Sequence, residues 1–435
     1  MPKKGIVIYL TVFMLLSGVT WNIFGNGQKT EDSNQPVIIS MAFPIAVDAP
    51  ITELLNGYAK EYMDQHPNVK IDLIYSGGYT DVKTMIQTTI DGGGEAPSLA
   101  VMLATDLFDL ANAQYIEPMT PYTKKLKSSE MKDFLPAFME NSYYMDDVWS
   151  LPFQRSAVVL YYNADLLAEK GLAVPKDWKS LAETAQALTV KEGDSVTRWG
   201  LEWPTGWPYW VFQPLAIGAG QNIVGDEDDK VYFDNADVIK AIKYYNSLSA
   251  DYGAMPQGVQ VSWGNVVPNF VSGNTAMIVQ SSGSLSGVLS QAKFKVGVMG
   301  VPGEKGGYFS VPGGGNIYMI SGMSEAEKKA AFDFALFLTA PSRAADFSIA
   351  TGYVASRKSS MEEEAMKAYV ADHPQVLDVQ NVLAQAGKEM ALQNLGEVRS
   401  IFHNYIQAAF NGEMTPEEAM AKAQEEADAA LVDFQ

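Results

Sequence analysis

Between residues 37 and 104 the chain switches repeatedly between a period-2 and a period-3.6 hydrophobic pattern, and few folds accommodate that alternation. Residues 37–43 (VIISMAF) read as a first strand. In 51–64, Leu54, Leu55, Tyr58 and Tyr62 recur at helical spacing, and His66-Pro67-Asn68 stops the helix. Val69, Ile71, Leu73 and Tyr75 then alternate with Lys70, Asp72 and Ile74, which predicts a strand. Gly77-Gly78 breaks it, Tyr79 opens a helix that reaches Asp91, and Gly92-Gly93-Gly94 ends that helix. Residues 97–104 are strand-like again. This rhythm implies an α/β fold, with a parallel or mixed sheet and helices on both faces. Ligands of such sheets sit beyond the strand ends, which puts Tyr79 and the turn 104–106 at the binding edge. Tyr79 also reads as a half-buried aromatic at a helix start.

A second rhythm follows. Residues 178–188 form an amphipathic helix pattern. Residues 199–212 are loop-like and hold Trp199, Trp203, Trp207, Tyr209, Trp210 and Phe212 among glycines and prolines. Aromatics at this density can stack on a polyol or sugar, or form a small satellite core. Residues 273–279 contain a buried strand that runs into Gln280-Ser281-Ser282-Gly283-Ser284, a hydroxyl-rich turn suited to capping the next helix. Residues 294–301 are another strand. Pro312-Gly313-Gly314-Gly315-Asn316 precedes a strand over 317–320, and 325–338 is a helix. Thr351-Gly352-Tyr353 is a turn. The C-terminal part is helical and ends in an acidic amphipathic segment from Pro416.

With 435 residues, 47% hydrophobic and 19% charged, the chain has material for two or three domains with large cores. Its net charge of −20 argues against nucleic acid or an anionic membrane surface as partner, but not against an anionic small molecule, because a pocket's field is local. There is no cysteine, which excludes disulfides, thiol catalysis, thiolate metal sites and a lipid-modified N-terminal cysteine. Lys3 and Lys4 precede an apolar run over 5–19 and then small residues. That is the pattern of a secretory signal peptide, assigned to 1–26, with an uncleaved anchor as the other reading. Residues 27–36 are polar and are expected to form a flexible tail, and no later stretch is long and apolar enough to span a bilayer. An exported protein, periplasmic or extracellular, is expected.

Catalytic signatures are missing. There is no Ser/His/Asp hydrolase pattern, Walker loop or His-Glu-x-x-His motif. His66, His373 and His403 lie far apart without ligand spacing and read as surface or helix-end residues. A glycoside hydrolase needs two carboxylates facing across a cleft. Most acidic residues here fall on solvated faces or turns, such as Asp226-Glu227-Asp228-Asp229. The expectation is a binding protein and not an enzyme, with no cofactor and no metal.

Residues 152–163 read Pro-Phe-Gln-Arg-Ser-Ala-Val-Val-Leu-Tyr-Tyr-Asn. The start of this strand offers amide, guanidinium and hydroxyl groups, and its remainder is apolar enough to be buried. That suits a ligand wall at a sheet edge, or any core strand of a large α/β domain. Together with the early strand-helix-strand unit, 273–279, 294–302, 313–320 and Thr351-Gly352-Tyr353, taken in this order, the chain resembles the family 1 extracellular solute-binding proteins of ABC importers. Within that family it is most similar to the glycerol-phosphate-binding members, from about residue 37 to the end.

The resemblance implies a two-lobed periplasmic-binding-protein fold with a ligand cleft between the lobes, closing by hinge motion. Lobe 1 is expected over 37–152 and 278–340, and lobe 2 over 153–277 and 341–435. It implies a monomer that captures sn-glycerol 3-phosphate or a related glycerophosphodiester and docks on the ABC permease subunits in the membrane. Position by position, the family's ligand-holding residues fall on Tyr79, Ser156, Ser281, Gly314, Tyr353 and Arg399, with Gly313 and Gly315 leaving the glycine's register open. The family's glutamate falls on Ala104, so the glycerol end is expected to be read differently, and a larger headgroup or a sugar could occupy the space. The chemistry of these residue types agrees, since a guanidinium binds two phosphate oxygens at once and neutral hydroxyls and a glycine N–H add donors. A sugar or oligosaccharide is the alternative ligand, with Trp207 and its aromatic neighbours stacking on the rings. Arg399 would then be incidental.

Overall fold

The computed structural model describes residues 36–258 and 260–434; the expected signal peptide, and the tail as far as Gln35, lie outside the described residues. The first strands follow the expected rhythm. Val37–Phe43 pairs in parallel with Val69–Tyr75 on one side and Leu99–Leu103 on the other. The helices Ile51–Gln65 and Tyr79–Asp91 make the two crossovers. Beyond Leu99–Leu103 the sheet turns antiparallel, adding Pro312–Ile320, then Ser150–Asn163, then Met277–Ser281. It is therefore a mixed sheet of eight strands, within an α/β architecture.

Ser150–Asn163 organises this sheet because it changes partners along its length. Ser150 to Ala157 pair with Pro312–Ile320. Val158 to Tyr162 pair with Met277–Ser281, and Leu160 to Asn163 also pair with Val296–Met299. The side chains change cores at the same place. Leu151 and Phe153 pack with Ile39, Leu99, Ile317 and the helix Glu325–Leu338. Val158 and Leu160 pack with Met277, Val279 and the helix Trp178–Leu188, in a core that continues to the C-terminal helices through Phe402 and Leu431. Val159 and Tyr161 face a third cluster with Val266, Phe270 and Ile278. With both faces covered, this half of the strand must be apolar at every position, which is why it reads as a run and not an alternation.

Two expectations change. The aromatic segment 199–212 is not all loop, because Pro208 opens a helix, Pro208–Ala219, that continues through Pro214. A proline at the first helical position removes only an N–H that would have had no intrahelical partner. The glycine run 313–315 does not precede the strand but lies within Pro312–Ile320, which carries a register shift between Gly315 and Asn316. Met277–Ser281 and Val296–Met299 both pair with the second half of Ser150–Asn163.

Gly314 holds the strand pair together at the partner exchange. Its φ is +91°, and a Cβ there would lie 2.0 Å from the Gln154 carbonyl oxygen. Gly314→Ala therefore combines left-handed strain with a backbone clash, and is expected to cost at least about 2 kcal/mol. Urea unfolding checks this, and a midpoint equal to that of the parent would show that the strands part freely here.

Candidate functional site

A cavity of about 50 Å³ lies at the partner exchange. Tyr79, Ser156, Trp207, Ser281, Gly314 and Tyr353 all line it, though they come from distant parts of the sequence. Each reaches the wall for a local reason. Tyr79 is the first residue of its helix, and its hydroxyl donates to Gln154 Oε1 at 3.0 Å. Tyr353 follows Gly352, whose φ of +93° ends the helix Pro341–Thr351. The two tyrosine hydroxyls lie 3.3 Å apart. Burial raises the pKa of both, Tyr353 to about 12 and Tyr79 well above its ordinary value, so both are neutral phenols. Ser281 ends its strand and also caps the turn after it, its Oγ accepting from Gly283 N at 3.0 Å. The capping and cavity-wall readings hold together at this residue. Of the three glycines in register, Gly314 is the one at the wall.

One side of the cavity is aromatic, formed by Trp207, Tyr209, Trp210 and Trp263. Trp207 ends the loop before Pro208, which puts Tyr209 and Trp210 in the first turn of the helix. Trp210 Nε1 donates to the Pro312 carbonyl at 2.7 Å. It can do so because Gly313 has no Cβ, which would sit 2.3 Å from the indole Cζ2. Trp210 and Trp263 rings are 6.0 Å apart.

Glu389 also lines the cavity, at 3% exposure. Its Oε2 accepts from Arg155 Nη2 at 3.1 Å and from Asn141 Nδ2 at 2.9 Å. Arg155 is fully buried, and its Nη1 donates to the Gly314 carbonyl at 3.2 Å. Burial pushes the Glu389 carboxyl up to about 7, against the opposing pull of Arg155.

Two predicted residues are not at the wall. Ala104 is buried in the turn after Leu103, and only Leu103 of the two lines the cavity. Arg399, on the helix Leu395–Asn411, stands one layer back, its guanidinium carbon 6.0 Å from the ring centre of Tyr209. Its Nη1 is buried without a hydrogen-bond partner. The arginine ion pairs among the described residues involve Arg155, Arg343 and Arg357, and not Arg399. His403, one turn on, corrects the surface or helix-end reading of the histidines. It lies inside the helix, its ring stacks on Tyr209, and burial with the neighbouring Arg399 charge pushes its pKa down to about 4. His66 and His373 do follow helix ends.

Sequence reasoning did not single out Glu389, Arg155 or Trp263 as site residues. Arg155 was legible only as a guanidinium at the start of the crossover strand, and Glu389 lies in a polar stretch with no periodicity to mark it. Among the described residues no group of three or more His, Cys, Asp or Glu could hold a metal ion.

The raised Glu389 pKa has a definite sign. The folded state holds this proton more tightly than the unfolded state does, so the associated stability is full below about pH 4.5 and is lost as pH rises towards 7. The shift corresponds to at most about 3 kcal/mol. Glu389→Gln should flatten that part of the pH–stability curve in unfolding experiments between pH 4.5 and 8. Parallel curves for parent and variant would remove the perturbed carboxyl.

The chain is similar to known proteins along most of its length. The family of bacterial extracellular solute-binding proteins matches residues 57–375. The sn-glycerol-3-phosphate-binding periplasmic protein UgpB of Pectobacterium atrosepticum is 23% identical over 419 residues, 90% of each chain. UgpB of Escherichia coli K12 is 22% identical, covering 92% of this chain and 94% of its own. Among solved structures, UgpB from Mycobacterium tuberculosis in complex with glycerophosphocholine superposes with a TM-score of 0.80 at 19% identity, covering 92% of this chain and 99% of the other. Maltose-bound MalE3 of T. maritima gives 0.79 at 21% identity, covering 90% and 99%. These likenesses establish the periplasmic-binding-protein fold, and neighbours of the same fold take ligands as different as a phosphodiester and a sugar. With the family matched across most of its length, the chain belongs to the bacterial extracellular solute-binding proteins.

Proposed function

We propose that this protein captures a glycerophosphodiester, or sn-glycerol 3-phosphate itself, outside the cytoplasm and hands it to an ABC permease in the membrane. The observation that carries this reading is the guanidinium of Arg399 behind Tyr209, which has no ion-pair partner among the described residues and whose Nη1 is buried without a hydrogen bond. A half-buried cation without a counter-charge is costly, and an anion in the cavity relieves it. The other buried cation at the site, Arg155, is already neutralised by Glu389. With Glu389 ionised, the site therefore carries about one positive charge in excess. A phosphodiester carries one negative charge, whereas a phosphomonoester carries about 1.5 to 2. The charge balance favours the diester. Tyr79, Ser156, Ser281 and Tyr353 add neutral hydroxyls, consistent with reversible binding.

The accompanying proposals are a periplasmic or extracellular protein exported by a signal peptide, acting as a monomer without chemistry of its own. Two lobes would close over the ligand about the crossover strand. No helix among the described residues is long and apolar enough to cross a membrane. The second reading, a sugar or oligosaccharide ligand, is favoured by one observation, the aromatic side formed by Trp207, Tyr209, Trp210 and Trp263.

Calorimetric titration of the mature chain with glycerophosphocholine, sn-glycerol 3-phosphate and maltose tests the proposal. Glycerophosphocholine should bind and be returned unchanged. Arg399→Ala should weaken it about 10- to 100-fold while the unliganded chain melts as the parent does. Maltose binding alone, untouched by Arg399→Ala, would transfer the assignment to the sugar reading.

A further inference from the structure

Glu389 is an acidic side chain inside a cavity that otherwise offers hydroxyls and aromatic rings. Both of its hydrogen bonds fall on one oxygen, Oε2, from Arg155 Nη2 at 3.1 Å and Asn141 Nδ2 at 2.9 Å. Oε1 accepts no hydrogen bond from the described residues. An ionised carboxylate is an acceptor only, with room for donors on both oxygens. Oε1 is not among the side-chain atoms sealed from solvent without a partner, so it opens to the cavity, where a ligand donor can take the place of water.

The surrounding groups narrow what that donor can be. Arg155 balances the carboxylate's charge, so no second cation is needed. The Tyr79 hydroxyl donates to Gln154 Oε1 and so is not free to serve Glu389. Arg155 also bonds the Gly314 carbonyl, which fixes the carboxylate against the wall formed by Gly314 and Ser156. A neutral O–H donor on the ligand satisfies Oε1 without disturbing the Arg155 pair.

We propose that Glu389 is a specificity-determining residue, whose Oε1 accepts a hydrogen bond from a hydroxyl of the ligand's polyol end. This inference rests on the phosphodiester reading and adds to it the group that reads the hydroxyls. It makes Glu389 the part of the site that separates a glycerol ester from the same phosphodiester without hydroxyls. The Arg155 and Asn141 bonds hold the carboxylate in the orientation that this contact requires.

The test compares two ligands on three chains by calorimetry. Glycerophosphocholine carries the diol; propyl phosphocholine has the same phosphodiester and no hydroxyls. The parent should prefer glycerophosphocholine by about tenfold or more. Glu389→Gln replaces a charged acceptor by a neutral one, and the Arg155 and Asn141 donors draw its carbonyl to the Oε2 position. The preference should shrink several-fold. Because that change could also loosen the fold, the paired variant Arg155→Met with Glu389→Met removes both charges together, and the preference should vanish. Melting temperatures of the unliganded chains monitor folding. A merely structural role for Glu389 would lower both affinities together and leave their ratio intact in both variants, which would overturn the inference while sparing the phosphodiester reading. A parent chain that binds neither phosphocholine ester would overturn that reading and this inference with it.

Discussion

Every wall of the cavity depends on one strand exchanging its hydrogen-bond partners within a few residues. Ser150–Asn163 leaves Pro312–Ile320 after Ala157 and takes up Met277–Ser281 from Val158. A ladder cannot change hands without stranding backbone groups, and buried groups left unpaired are costly. Side chains close the gap. Ser282 Oγ accepts from the Ala157 N–H at 3.0 Å, and Ser310 Oγ donates to the Val158 carbonyl at 2.7 Å. The Val354 N–H reaches the Arg155 carbonyl at 2.8 Å, which ties the segment carrying Tyr353 to the same point. The hydroxyl-rich turn 281–284 thus serves the backbone first, and its place beside the cavity follows from that duty.

Charge is arranged in two unequal parts around this junction. Arg155 and Glu389 are both buried and form a neutral pair, held further by Asn141 and the Gly314 carbonyl. Such a pair contributes little net stability, since desolvation offsets most of the Coulomb attraction, but removing either partner alone is expensive. Its value here is geometric, because it fixes Glu389 and Gly314 relative to Ser156. Arg399 is the opposite case, a cation with neighbours but no ion-pair partner among the described residues. The depressed pKa of His403 reflects burial and, after it, that same unbalanced charge.

Much of the fold was legible because it rests on local patterning. The strand and helix alternation over 37–104 survives unchanged, since amphipathic periodicity reports burial directly. The helix from Pro208 was less legible. Nearly all its residues are buried, so it lacks the polar stripe that marks a surface helix, and its prolines imitate a loop. The glycine run misleads for a related reason. Glycines usually punctuate turns, but here they thin a strand so that Trp210 and Tyr79 can pack against it. In the site, Tyr79, Ser156, Ser281, Gly314 and Tyr353 could be named from their family-like positions, and the structure brings them together. Glu389 could not, because nothing in Gly387-Lys388-Glu389-Met390 distinguishes a buried carboxylate from a solvated one until Arg155 is seen beside it.

The position of Arg399 behind Tyr209 bears on how such a site can bind an anion and still release it. Ring faces alone do not separate a sugar from a phosphodiester, since both present apolar edges to stack. Electrostatics can. With the guanidinium carbon 6.0 Å from the Tyr209 ring centre, an anion on the far side of that ring would lie some 8–10 Å from the charge. At an effective dielectric near 20 the attraction over that distance is about 2 kcal/mol. The figure is enough to bias the cavity towards a monoanion, but it is smaller than a direct bidentate contact would give. Tyr209 stays neutral, because burial raises its pKa by more than Arg399 lowers it, and a phenol beside a cation is a stronger hydrogen-bond donor than one alone. On the proposed phosphodiester reading, the charge can then act through the tyrosine, adding selectivity for an anion without closing the ligand into a contact from which a permease could not withdraw it.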